Sequence, residues 1–172
     1  MSSILKQFFN FLFFLIPVFI FSQELPPIEN YSSKIYGAEN QNWAISQSDK
    51  NYIYIANNSG LVEFNGEKWR LYPSSNNTVL RSVNCIGDKI YTGSYMEFGF
   101  WKENNFGNLE YTSLSEKLQE SLIEEDFWNI IHFEDWILFQ SLSRIYIFNT
   151  IDQTFKIIAS KTQQLPKALK VN

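Results

Sequence analysis

Tyr52-Ile53-Tyr54-Ile55-Ala56-Asn57-Asn58-Ser59-Gly60-Leu61-Val62-Glu63-Phe64-Asn65-Gly66 is the stretch whose reading decides the fold. Two short runs rich in β-branched and aromatic residues flank an Asn-Asn-Ser-Gly cluster, and an Asn-Gly pair closes the second run. This predicts strand, tight turn, strand, hairpin turn. The arrangement returns as Ile90-Tyr91-Thr92-Gly93-Ser94 with Phe98-Gly99-Phe100-Trp101, and again as Ile137-Leu138-Phe139-Gln140-Ser141 with Ile145-Tyr146-Ile147-Phe148. The preceding anchors Ile45, Val83 and Ile130 are 38 and 47 residues apart, and Ile53, Ile90 and Ile137 are 37 and 47 apart. A period of about 40 residues with several short strands per unit marks a β-propeller blade.

Around this stretch, blade one is expected over 41–73, with strands at Trp43–Gln47, Tyr52–Ala56, Leu61–Phe64 and Lys68–Tyr72. Blade two is expected over 79–112, with strands at Arg81–Ile86, Lys89–Gly93, Glu97–Trp101 and Leu109–Thr112. Blade three is expected over 127–159, with strands at Trp128–Phe133, Trp136–Gln140, Arg144–Phe148 and Thr154–Ile158. Between blades two and three, Leu114, Leu118 and Leu122 recur every four residues, and Ser113 with Glu116 reads as a capping box. The insertion 113–126 is therefore expected to hold one short amphipathic helix. The fold class is all-β, a partial β-propeller of about three four-stranded blades (41–160). Closed propellers need roughly four to eight blades, so the chain reads as a segment of a longer protein, with 161–172 as a truncated tail and the missing blades as its partners.

The N-terminus differs in kind. Lys6 precedes the apolar run Phe11–Phe21, after which the sequence turns polar at Ser22. Eleven residues fall short of the about 20 needed to span a bilayer. Residues 1–22 read as a secretory signal peptide, or as an uncleaved anchor. Residues 23–40, with Pro26 and Pro27, read as an extended lead-in. Cys85 is the single cysteine, so no internal disulfide can form; it is expected to be a small buried apolar group in its strand. The net charge of −4 gives no basic footprint for nucleic acid.

Several phrases are similar to a known family. Pro26-Pro27-Ile28-Glu29-Asn30-Tyr31, Tyr36-Gly37-Ala38-Glu39-Asn40-Gln41-Asn42-Trp43-Ala44-Ile45, Ala56 to Gly66, and Tyr91-Thr92-Gly93-Ser94-Tyr95-Met96-Glu97-Phe98-Gly99-Phe100-Trp101 resemble the two-component-regulator-propeller sensors of Bacteroidetes-type bacteria. The resemblance runs from about Pro26 to Lys161. It implies a periplasmic propeller followed by a three-tyrosine domain, a membrane helix and an output, and it is strongest for the branch ending in a LuxR-type helix-turn-helix. Related branches end in a histidine kinase. The chain lacks those downstream parts, so signalling is an implication about a parent protein, and any contact with a membrane would come through that parent or an uncleaved signal.

Candidate chemistry is sparse. His132 is the only histidine and has no nucleophile elbow to serve. One histidine and one cysteine cannot make a four-ligand zinc site. No catalytic residue, metal or cofactor is expected. The acidic clusters Glu124-Glu125-Asp126 and Glu134-Asp135 read as solvated surface. Trp43, Arg81 and Trp128 each stand two residues before a repeat anchor, at the start of the strand that lines a propeller channel. They are candidates to bind a small extracellular ligand, such as a sugar or an anionic glycan fragment, by stacking and bidentate hydrogen bonds; the alternative is that they fill inter-blade core. Tyr95 and Glu97 are a second candidate pair. A sensor and a glycan-binding or glycan-cleaving exported propeller both remain open, and sensing is favoured because no acid occupies the repeated channel position.

Overall fold

The computed structural model describes residues 27–159 together with Lys6, Gln7 and Phe11. The rest of the signal-peptide segment 1–22 and the tail 161–172 lie outside the described residues. The chain divides into two compact units, Met1–Asn30 and Tyr31–Asn172, and every strand described lies in the second.

Alternating apolar residues and turn clusters produce twelve strands among the described residues. Blade one is β1 (Asn42–Gln47), β2 (Ile53–Asn57), β3 (Gly60–Phe64) and β4 (Trp69–Pro73). Blade two is β5 (Leu80–Ile86), β6 (Lys89–Ser94), β7 (Glu97–Glu103) and β8 (Leu109–Ser113). Blade three is β9 (Asn129–Phe133), β10 (Trp136–Gln140), β11 (Arg144–Asn149) and β12 (Phe155–Ala159). Each blade is an antiparallel meander in chain order. The tight turn at Asn58-Ser59 depends on Gly60, whose φ is 137° and where a Cβ would lie 2.2 Å from the Tyr72 carbonyl oxygen. The Asn65-Gly66 connection is longer than the two-residue hairpin its sequence suggests. Phe64 pairs with Trp69, and the Asn65 side chain accepts from the backbone N–H of Glu67 and Lys68. This Asx turn satisfies the extra backbone.

The inner strands are held side by side. Ser46 Oγ accepts from the Cys85 N–H at 3.0 Å, and one blade further on Asn84 Nδ2 donates to the Ile130 carbonyl at 3.1 Å. Ser46 and Asn84 each follow their repeat anchor by one residue, so the repeat lays down inter-blade ties as well as strands. Two apolar cores fill the wedges. Tyr54, Ala56 and Leu61 of blade one meet Val83, Ile90, Trp101 and Leu109 of blade two. Tyr91 and Phe98 of blade two meet Phe127, Ile137, Phe139 and Tyr146. Phe98 lies 4.4 Å from Phe139 and 4.6 Å from Phe127 between ring centroids. Fully burying such a ring contributes on the order of 1.5–3 kcal/mol. Cys85 is half-buried at the edge of the first wedge, and burial pushes its thiol up.

Three local expectations are corrected. The lead-in is not extended throughout: α1 (Ser33–Tyr36) is one helical turn, ended by Gly37 at φ 69°, and Tyr31 and Tyr36 pack on Trp69 of β4. The insertion forms no amphipathic helix but a single 3-10 turn, Ser115–Lys117. Ser113 Oγ does accept from the Glu116 N–H, and Leu114 is fully buried, yet the chain turns extended at Leu118. The strap beyond it pairs with blade two through the bridge Tyr95–Asp126 and through Met96 N–H to the Glu125 carbonyl. Finally, Glu125 and Asp126 are not solvated surface. Glu125 is only 3% exposed, accepts from Ser143 Oγ, and lies 3.6 Å from Arg144; Asp126 pairs with Arg81.

Candidate functional site

Strand pairing decides where Trp43 and Arg81 point. The β1–β2 register slips between Asn42 and Ala44, and the β5–β6 register slips between Leu80 and Ser82. Trp43 and Arg81 are therefore the unpaired bulge residues of two equivalent inner strands. Bulges of this kind re-aim a side chain at the rim of a sheet. Trp128 immediately precedes β9, fixed by its N–H to the Gln140 carbonyl at 2.9 Å.

The three side chains converge. The Arg81 guanidinium carbon lies 4.3 Å from the Trp43 ring centroid and 4.9 Å from that of Trp128, and the two rings meet edge to face at 5.9 Å. Stacked cations of this type are favourable and keep the guanidinium edge available, because the aromatic contacts use its faces. Arg81 Nε lies 3.4 Å from Asp126 Oδ1, and among the described residues its terminal nitrogens make no hydrogen bond. Trp43 is 41% exposed and is oriented by Nε1–H to Asn58 Oδ1 at 2.8 Å. Trp128 is half-buried, and its Nε1–H finds no acceptor among the described residues. The cluster thus presents a partly exposed indole, that of Trp43, beside a cationic group. It can stack a planar or ring-shaped group and bind an anion.

Tyr95 stands on the strap side of this cluster. Its backbone bridges Asp126, its carbonyl accepts from Asn76 Nδ2 at 2.8 Å, and its ring is 43% exposed. Glu97 is not brought in: its carboxylate is turned to β8, where Tyr111 O–H and Ser113 Oγ–H donate to it at 3.0 and 2.9 Å. Asp126 is the member that sequence reasoning missed. Its place in an acidic triplet masked it, and only the strap pairing reveals it. His132 is exposed, with Nε2 against the Glu134 carbonyl at 2.6 Å.

The described residues define an arc of propeller blades with a cation–aromatic cluster at the starts of its inner strands. No protein-family model and no curated protein matches the chain. Among solved structures it is similar to the extracellular domain of a candidate one-component system of B. thetaiotaomicron, at 16% identity and a TM-score of 0.54 over 73% of this chain. The chain spans 16% of that protein's length, and the likeness is one of fold.

Proposed function

We propose that this chain is part of an extracytoplasmic sensor propeller, exported to the periplasm. In this reading Trp43, Arg81 and Trp128 contact a small extracellular ligand, an anionic glycan fragment being the best chemical match. The observation that carries the reading is the convergence of three repeat-equivalent residues, two of them on bulges, into one partly exposed cluster. A guanidinium clamped by two indoles has lost little further freedom to binding, so a ligand carboxylate or sulfate meets a pre-organised edge. The fold shared with an extracellular domain of a one-component system supports a sensory role. The phrases resembling two-component-regulator propellers support a membrane-spanning parent with a LuxR-type output. Binding is favoured over cleavage because glycoside hydrolysis takes two carboxylates across the sugar, and the acid at this cluster, Asp126, is held by Arg81.

The test is made in the full receptor. Single changes of Trp43, Arg81 or Trp128 to Ala are expected to abolish ligand-dependent reporter output while export and the melting midpoint are retained. Unfolding of all three variants would return these residues to inter-blade packing and end the proposal.

A further inference from the structure

Equivalent rows run across the face that each blade turns toward the next. In blade two the row is Asn84–Tyr91–Phe100, and in blade three Ile131–Leu138–Ile147. In blade one it is Ser46–Tyr54–Glu63, with Arg70 next to Glu63 on β4. Glu63 therefore stands where the other blades place Phe100 and Ile147. It is only 5% exposed, and its Oε2 accepts from Tyr54 O–H at 3.2 Å. Its Oε1 has no hydrogen bond among the described residues. Arg70, directly opposite, acts on it only through its charge and makes no ion pair with it among the described residues; its Nη1 donates to the Gly107 carbonyl at 3.4 Å. The nearby acid Glu103 is taken by Lys50.

A buried carboxylate with one neutral donor is costly to hold in its charged form, and a repeat that tolerates Phe and Ile at the position offers a ready apolar alternative. What distinguishes the site is the space beside it. Glu63 lines a cavity of about 230 Å³ between blades one and two, with Tyr52, Tyr54, Phe106, Leu109 and Arg70 among its walls. The cavity is of amino-acid size. It places a carboxylate without an ion-pair partner among the described residues within, aromatic side chains around it and a guanidinium at the exposed edge.

We infer that this inter-blade pocket binds a small zwitterion of amino-acid class, with its ammonium on Glu63 and its carboxylate on Arg70. The ammonium supplies the charge that Glu63 lacks, and the Tyr54 ring and hydroxyl frame it. Arg70 exchanges one contact with a backbone carbonyl for a charged bidentate one. The site is separate from the Trp43–Arg81–Trp128 cluster and does not depend on it.

The experiment is calorimetric titration of the full chain with L-alanine, with ethylammonium chloride and with sodium propionate. Saturable binding is expected for L-alanine, weaker binding for ethylammonium and none for propionate. Glu63→Gln is expected to weaken L-alanine by at least about tenfold and to raise the melting midpoint, since it removes a buried charge. Arg70→Gln is expected to weaken L-alanine but not ethylammonium. Propionate binding as well as L-alanine, an absence of saturable L-alanine binding, or undiminished affinity in Glu63→Gln would overturn the inference. So would a lower melting midpoint or failure to fold in Glu63→Gln, because the carboxylate would then be structural; Arg70→Gln, at an exposed position, reports on binding independently.

Discussion

Glu63 and Asp126 show how far single positions depart from the repeat around them. Burial pushes the Glu63 carboxyl above its ordinary value of 4.5, against the opposing pull of the Tyr54 hydrogen bond and the Arg70 charge. A carboxyl raised in this way keeps its proton in the folded chain at pH values where the unfolded chain has already lost it. Its stabilising share is complete below the unfolded value and is lost as pH rises through the folded one. Asp88, lowered by Lys102, acts in the opposite sense below 3.8, outside this window, and is a screened surface pair. Without ligand, stability is therefore expected to decline at this group as pH climbs past 4.5. Comparing urea unfolding of the parent chain and Glu63→Gln at about pH 5 and about pH 8 checks it: the variant should show the smaller decline, and equal slopes would contradict it. Asp126 calls for a different test. It holds Arg81 at 3.4 Å and would compete with an anionic ligand for the same guanidinium. Under the binding role proposed above, Asp126→Asn in the parent protein is expected to tighten an acidic glycan fragment several-fold and to leave a neutral one unchanged. Weaker binding of both would mean that Asp126 serves the ligand directly.

At the scale of strands and turns, local sequence and tertiary pairing divide the work unevenly. All twelve strands lie within two residues of where alternation and turn residues predict them, because each blade is built from adjacent antiparallel neighbours whose pairing is local. The insertion departs from its expected helix for the opposite reason. Its four-residue leucine spacing is a helical signal, but Leu114 is consumed by the second core. The strap beyond Leu118 instead exchanges backbone hydrogen bonds with Met96 and Ser94 of blade two. The convergence of Trp43, Arg81 and Trp128 was legible as a shared repeat position. The bulges that aim two of them were not, since register slips are decided by the partner strand. Nor was Glu63, since its row follows from pairing whereas its burial follows from blade two closing over it. The wedge between blades two and three gives the test at this scale. A Cβ on Gly93 would lie 2.6 Å from Phe127 Cβ and 2.7 Å from Ser82 Oγ, and Ser82 Oγ already donates to the Phe127 carbonyl at 2.8 Å. Gly93→Ala forces the two blades apart and is expected to cost about 1–3 kcal/mol. Chemical unfolding measures it, and a neutral result would show that the wedge yields without loss.

Across the described residues the same row logic identifies an exposed apolar face on blade three. Tyr91 of blade two is buried against blade three, and Tyr54 of blade one against blade two. On blade three the corresponding face carries Ile131 and Phe133, 50% and 63% exposed, and Ile158, 46% exposed, with Leu138, Ile145 and Ile147 half-buried among them. Ile131 pairs with Leu138, and Leu138 with Ile147, so these side chains form one continuous apolar band across the strands. The polar ties at this repeat position, Ser46 and Asn84, become Ile131 here. The inner-strand contact to a following blade would therefore be apolar rather than hydrogen-bonded. A band of this kind on an otherwise finished sheet suits the inward face of another four-stranded blade, as blade two suits blade one. Left open, it favours self-association. Residues 27–159 produced alone are therefore expected to associate in a concentration-dependent way, and Ile131→Lys combined with Phe133→Lys should suppress it. In the full receptor the same pair should lower the melting midpoint, because two charges would then be buried between blades without partners. Sedimentation of the segment and melting of the receptor separate the outcomes. A segment that stays monomeric and melts sharply, together with a receptor indifferent to the two lysines, would show that no neighbouring blade covers this face.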